Sequence, residues 1–216
     1  MVKEKKAVTE SSGADATGGR SLRRPFDRKA GVATAKELFH QHGYDAVGVA
    51  ELTRALNINP PSLYAAYGSK AGLFERCLAM YVGEESLSAD RILVLGRPLG
   101  EAVGELFLRA STLYTKSETK RGCMVSEAMR ANDQEARLLA KVHGDAAATS
   151  IKRFISQYDP QHAGALADYV VITLRGLSAT ARVGLSRSRL QTAASLAGQA
   201  FEALLQSKGV KNYGNN

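Results

Sequence analysis

Between Thr53 and Lys70 the sequence gathers hydroxyls, small side chains and two cations. A tyrosine hydroxyl such as that of Tyr64 can hydrogen-bond a phosphate oxygen. Lys70, at the start of a helix, would add charge where free backbone amides already favour an anion. Thr53 can bond a phosphate or a base edge. Pro61, Ser62, Ala65 and Ala66 are small enough to lie against base edges, and alanine methyls can meet thymine methyls. Phosphate contacts position a protein on a duplex, whereas base contacts specify sequence. No Arg, Asn or Gln lies between Pro60 and Tyr67. Specificity is therefore expected to draw partly on DNA shape, on Arg54 and on a basic N-terminal arm.

Other chemistry has thinner support. Cys123 lies near Lys120 and Arg121. Such cations can lower a thiol pKa and make it oxidisable; a packed structural thiol is the other reading. Glu37-x-x-His40 is one Glu-x-x-His motif, but a di-iron bundle needs two, and the nearest second match, Asp159–His162, contains Pro160. His40 and His42 are two apart and point different ways on a helix. A glycine-rich phosphate loop, zinc-ligand spacing and a nucleophile elbow are all missing from the sequence. No catalytic residue, metal or cofactor is expected, and an all-α enzyme is the weakest alternative.

The elements that must hold these residues read as helices. Alanine, leucine and charged residues abound while proline is scarce. Residues 26–42 repeat apolar groups at helical spacing, and Gly43 suits the left-handed stop. Val49–Leu56 is a short second helix, Asn57 and Ile58 a tight turn. Asn59 caps a third helix with Pro60 at its first position. Ser69 caps a fourth helix running to the mid-80s. Leu52, Leu56, Ile58 and Leu63 are expected to pack on Leu38 and Phe39. That leaves Thr53, Pro61, Ser62, Tyr64, Ala65 and Ala66 facing outward. Tyr44 and Tyr67 are expected to pack inside.

Longer helices follow over about 99–114, 125–131, 133–158, 161–183 and 189–206. The fold class is all-α, with about nine helices: a three-helix helix-turn-helix domain, then a larger helical domain. The expected bounds are 1–24 for a disordered basic arm ending in Arg20, Arg23 and Arg24, 25–70 for the helix-turn-helix domain, 71–207 for the larger domain and 208–216 for a flexible tail.

The net charge is +8, and the first third of the chain carries about twice the excess charge per residue of the remainder. That bias suits a polyanion. Two cysteines make no disulfide framework and fit a reducing cytoplasm. The N-terminus lacks the apolar stretch of a signal peptide, and no apolar run approaches the ~20 residues of a membrane span.

Leu38, Phe39, Gly43, Tyr44, Leu52, Leu63, Tyr64, Tyr67, Ser69, Lys70, Leu73 and Phe74 together resemble the DNA-binding signature of the TetR family. Two positions depart from it: Gly48 stands where the family usually caps the second helix with Ser or Thr, and Asn57 stands where the turn often has Gly. The resemblance implies a dimeric, cytoplasmic transcription regulator, commonly a repressor, released from a double-stranded operator by a small molecule. It also implies a homodimer built by the last two long helices. Those helices are rich in small residues, with Leu166, Val170, Leu174, Leu177, Leu196, Phe201 and Leu204 at helical spacing. Leu106, Tyr114, Met124, Met129, Phe154 and Tyr158 are candidates for an effector pocket. The alternative from another class is a helical architectural DNA-binding protein without an effector.

Overall fold

The computed structural model describes residues 26–207. The basic arm with Arg20, Arg23 and Arg24, and the tail after Ser207, lie outside the described residues. Among the described residues there are ten helices and no strands. They are α1 (Arg28–His42), α2 (Val49–Leu56), α3 (Pro60–Tyr67), α4 (Lys70–Glu84), α5 (Ala89–Ile92), α6 (Leu99–Tyr114), α7 (Met124–Ala128), α8 (Gln134–Ser156), α9 (Ala163–Arg182) and α10 (Arg187–Ser207). The addition to the nine expected helices is α5. Four residues are too few to show a period, and this turn exists because Ile92 and the following Leu93 bury themselves in the C-terminal core.

Local chemistry sets the N-terminal boundaries. The Asp27 carboxylate caps α1 by accepting from the amides of Lys29 and Ala30 at 2.9 and 3.1 Å. Gly43 ends α1 at φ +83°, a conformation side chains rarely adopt. α2 starts at Gly48 with no side-chain cap, and ends at Asn57 in the left-handed region, φ 52°. The Asn59 side-chain oxygen Oδ1 accepts from the Ser62 amide at 2.8 Å, and Ser69 Oγ from the Gly72 amide at 2.9 Å.

The buried side chains form two cores. The first holds Phe39, Tyr44, Leu52, Leu56, Leu63 and Tyr67 from α1–α3, with Leu73, Phe74, Cys77, Leu78 and Tyr81 of α4; α7 and the first turns of α8 also contribute. The rings of Phe39, Tyr44 and Phe74 meet at centroid distances of 4.8–5.6 Å. The second core is built from α5, α6, α8, α9 and α10 around Leu106, Phe107, Tyr114, Ile155, Val170 and Phe201. α6 and α10 approach so closely that a Cβ on Gly198 would sit 3.0 Å from the Cα of Gly104. An alanine there would push the two backbones apart.

Polar ties hold α1 and the loop after it to the segments around them. Arg182, at the end of α9, donates to the carbonyls of His40 and Gln41 at 2.7 and 2.8 Å. His40 Nε2 lies 3.2 Å from the Gly122 carbonyl. Asp45 accepts from the amides of Asn132 and Asp133 at 2.6 and 3.2 Å, just before α8. Lys36 pairs with Glu85, and Lys120 with Glu37.

Candidate DNA-binding surface and effector pocket

α2 and α3 form the short helix, tight turn, short helix unit that can place a second helix in a major groove. Leu52 and Leu63 are fully buried and fix the two helices in the first core. Their packing leaves Arg54, Pro61, Ser62, Tyr64 and Ala65 exposed together on the outer side. Tyr64 keeps 47% of its surface exposed, with its hydroxyl-bearing ring available to a partner.

Two residues expected on this face are not there. Thr53 is 8% exposed, and its hydroxyl is turned back to the Ala50 carbonyl at 3.1 Å. Ala66 is 7% exposed and packs into the first core. The reason is helical geometry. Ala66 lies three residues after Leu63 and one before Tyr67, on the buried stripe of an eight-residue helix. Thr53 adjoins fully buried Leu52 and lies three residues before buried Leu56 on the same short helix.

Lys70 sits at the first position of α4, as expected, but its ammonium is engaged. Nζ donates to the Tyr44 carbonyl at 2.8 Å and lies 3.9 Å from the centre of the Tyr44 ring. Burial pulls its pKa below the ordinary lysine value, against the opposing fields of Asp133 and Asp45. Tyr44 is itself pushed up to about 12, first by burial and then by the nearby acids Asp133, Glu135 and Asp45. It therefore stays a neutral packing ring. Tyr67 is likewise buried; its hydroxyl donates to the Arg28 carbonyl at 2.9 Å and fixes the start of α1 beside the end of α3. That bond brings exposed Arg28 and Lys29 to the side of the candidate surface, two cations the sequence reading passed over.

The described residues also line a partly open, mainly apolar cavity of about 130 Å³ between the end of α4, α5, α7, α8 and α9. Of the six effector candidates only Met129 lines it. Leu106, Tyr114 and Phe154 are buried in the second core, and Met124 in the first. Tyr158 packs its ring at a tilt against Phe154 and donates to the Arg97 carbonyl at 2.9 Å. Helical spacing identifies inward-facing side chains; it does not say which of them close against a neighbour and which stop short. The lining not anticipated from the sequence includes His143 on α8 and Arg175, a cation within an otherwise small and apolar stretch of α9.

Cys123 also lines the cavity and is half-buried. The cations near it in sequence are bonded elsewhere. Lys120 pairs with Glu37, and Arg121 donates to the carbonyls of Ala181 and Leu185 at 2.7 and 2.5 Å. Cys77 is fully buried, and burial pushes its thiol up to about 12.

The profile of the bacterial regulatory proteins, tetR family, matches residues 32–77, the span of α1–α4 that carries this surface. Over 183 residues the chain is 44% identical to the HTH-type transcriptional repressor BdcR of Escherichia coli, covering 85% of this chain and 93% of the relative. The chain belongs to the TetR family. It is also 28% identical to the HTH-type transcriptional repressor ComR of Escherichia coli, over 76% of this chain and 84% of that one. Among solved structures, a cysteine mutant of the TetR family regulator CifR, complexed with 26-bp double-strand operator DNA, shares 30% identity. That match covers 82% of this chain and 98% of the other, with a TM-score of 0.71. As a family member the chain has its helix-turn-helix in α2–α3 and its larger helical part in the remainder.

Proposed function

We propose that the chain is a cytoplasmic, homodimeric repressor that binds a double-stranded operator through α2–α3 and is released by a small molecule. The observation that carries this reading is the exposed face of α3, where Pro61, Ser62, Tyr64 and Ala65 project from a helix fixed by the fully buried Leu63. The operator-bound CifR structure, similar over most of both chains, supports the same use of the surface.

In this reading Tyr64 and Lys70 grip phosphates, with Lys70 exchanging the Tyr44 carbonyl for a phosphate oxygen. Arg54, Arg28 and Lys29 add positive potential at the flanks. Pro61, Ser62 and Ala65 lie against base edges. Thr53 and Ala66 support the unit from inside. Dimerisation is supported by apolar groups that α9 and α10 leave uncovered: Ile172 is 68% and Leu196 59% exposed, and Leu204 is exposed as well. Leu166, Val170, Leu177 and Phe201, by contrast, are used inside the chain's own core. A two-fold pair would set two α3 helices about 34 Å apart, one turn of DNA.

A mobility shift with DNA from upstream of the gene tests the proposal. The expected result is a shift that survives moderate salt and an excess of random DNA. Binding that ignores sequence and collapses steeply with salt would favour an architectural protein instead.

A further inference from the structure

We propose that the cavity lined by α7, α8 and α9 binds a small carboxylate with an apolar body, its anionic head held by Arg175 and His143. The proposal rests on the effector reading above and adds the chemical class of the effector.

The walls set the body. Val125, Ile151, Val171, Leu174 and Met129 supply an apolar lining to about 130 Å³. An apolar cavity of about 150 Å³ accepts one benzene molecule. A single ring or a short branched chain therefore fits. Gly144 helps make this room: a Cβ there would meet Met129 Sδ at 2.5 Å.

The polar groups set the head. No Asp or Glu lines the cavity, so a cationic ligand finds no counter-charge. The always-charged guanidinium of Arg175 makes no ion pair among the described residues. Its side-chain contact is the thioether of Met129, 3.9 Å from Nη2, a weak acceptor for a group with five donors. The acid in the adjoining space, Glu127, is already held through both oxygens by Arg130 at 2.8 Å. His143, across on α8, has no hydrogen-bond partner among the described residues. A planar carboxylate matches the guanidinium fork through two parallel bonds, which a neutral amide or an alcohol cannot do.

The test is calorimetric titration of the full chain with benzoate, cyclohexanecarboxylate and hexanoate, each beside its primary amide. At least one acid is expected to bind about ten- to a hundredfold more tightly than its amide, the range for a hydrogen bond to a charged group. Arg175→Gln should abolish that preference and leave the amide's affinity unchanged. Should Arg175→Gln unfold, the acid-to-amide ratio in the wild-type chain decides alone. Amides binding as tightly as acids, no acid binding, or a preference intact in Arg175→Gln would each overturn the proposal. A parallel mobility shift reports on the effector role separately. An acid that binds but leaves the DNA complex intact supports the site and refutes its use for release.

Discussion

Replacing Arg182 by alanine removes a tie between the two cores whose size can be worked from its geometry. One guanidinium donates to two consecutive carbonyls, His40 and Gln41, at 2.7 and 2.8 Å. Both carbonyls belong to the last turn of α1, where helix geometry leaves them without intrahelical donors and the helix dipole favours a cation. A hydrogen bond to a charged group contributes about 1.5–3 kcal/mol when shielded. The His40 bond is part-buried and the Gln41 bond exposed, so the second is discounted to a fraction of the first. The expected loss is about 2–3 kcal/mol. In a chain of this size that is a fall of about 4–12 °C in Tm. Arg182→Lys keeps the charge but reaches one carbonyl at a time, so it should recover about half. Urea unfolding at fixed protomer concentration measures all three proteins, because the proposed dimer would make stability concentration-dependent. A loss below about 0.5 kcal/mol, the scatter expected of surface substitutions, would refute the reasoning. So would Arg182→Lys behaving like Arg182→Ala.

Asn57 occupies the left-handed conformation between α2 and α3, so Asn57→Gly should be neutral or slightly stabilising. Asn57→Val should cost about 1–2 kcal/mol in urea unfolding and weaken DNA binding through α3. Burial holds the His40 imidazole below its ordinary pKa, against the raising effect of the Gly122 carbonyl. The unfolded chain therefore binds the proton more readily than the folded one; the contribution to stability is present above about pH 6.5 and is lost as pH falls through the lower folded value. A pH series of urea midpoints checks this, and His40→Gln should flatten that part of the curve. With its thiol pushed up to about 12 and fully buried, Cys77 should resist a thiol reagent at neutral pH in the folded chain. Cys123, half-buried at the cavity, should be labelled first, as mass mapping would report.

The helix-turn-helix was legible in the sequence because its signals are local. Asn59 before Pro60, Ser69 before Lys70 and Gly43 after His42 each act within one turn of the chain, and all three terminate or start helices where their chemistry says. Asn57 in place of glycine read correctly for the same reason. What escaped depends on distant segments meeting. The periodicity of α2 and α3 does not reveal that Thr53 and Ala66 sit at the edges of the buried stripe rather than on the open face. The cavity could not be read from Leu106, Tyr114 or Phe154, because their neighbours close around them. It exists where α7, α8 and α9 do not quite fill the space, beside Gly144. Arg175 was a usable signal in hindsight: a lone cation in the middle of the Ala-, Gly- and Leu-rich α9. Lys70 was placed correctly at the helix start, yet its bond to Tyr44 depends on the loop after α1 folding over it.

The central claim is that the exposed face of α3 divides its work between phosphates and bases. Binding of the wild type, Tyr64→Phe and Ser62→Ala to the operator and to each of its single base-pair variants, at one fixed salt concentration, tests this directly. The account predicts that Tyr64→Phe weakens every sequence by about the same factor, and that Ser62→Ala alters the ranking at one or two positions of each half-site. A uniform effect from Ser62→Ala, or a changed base preference with undiminished affinity from Tyr64→Phe, would contradict it.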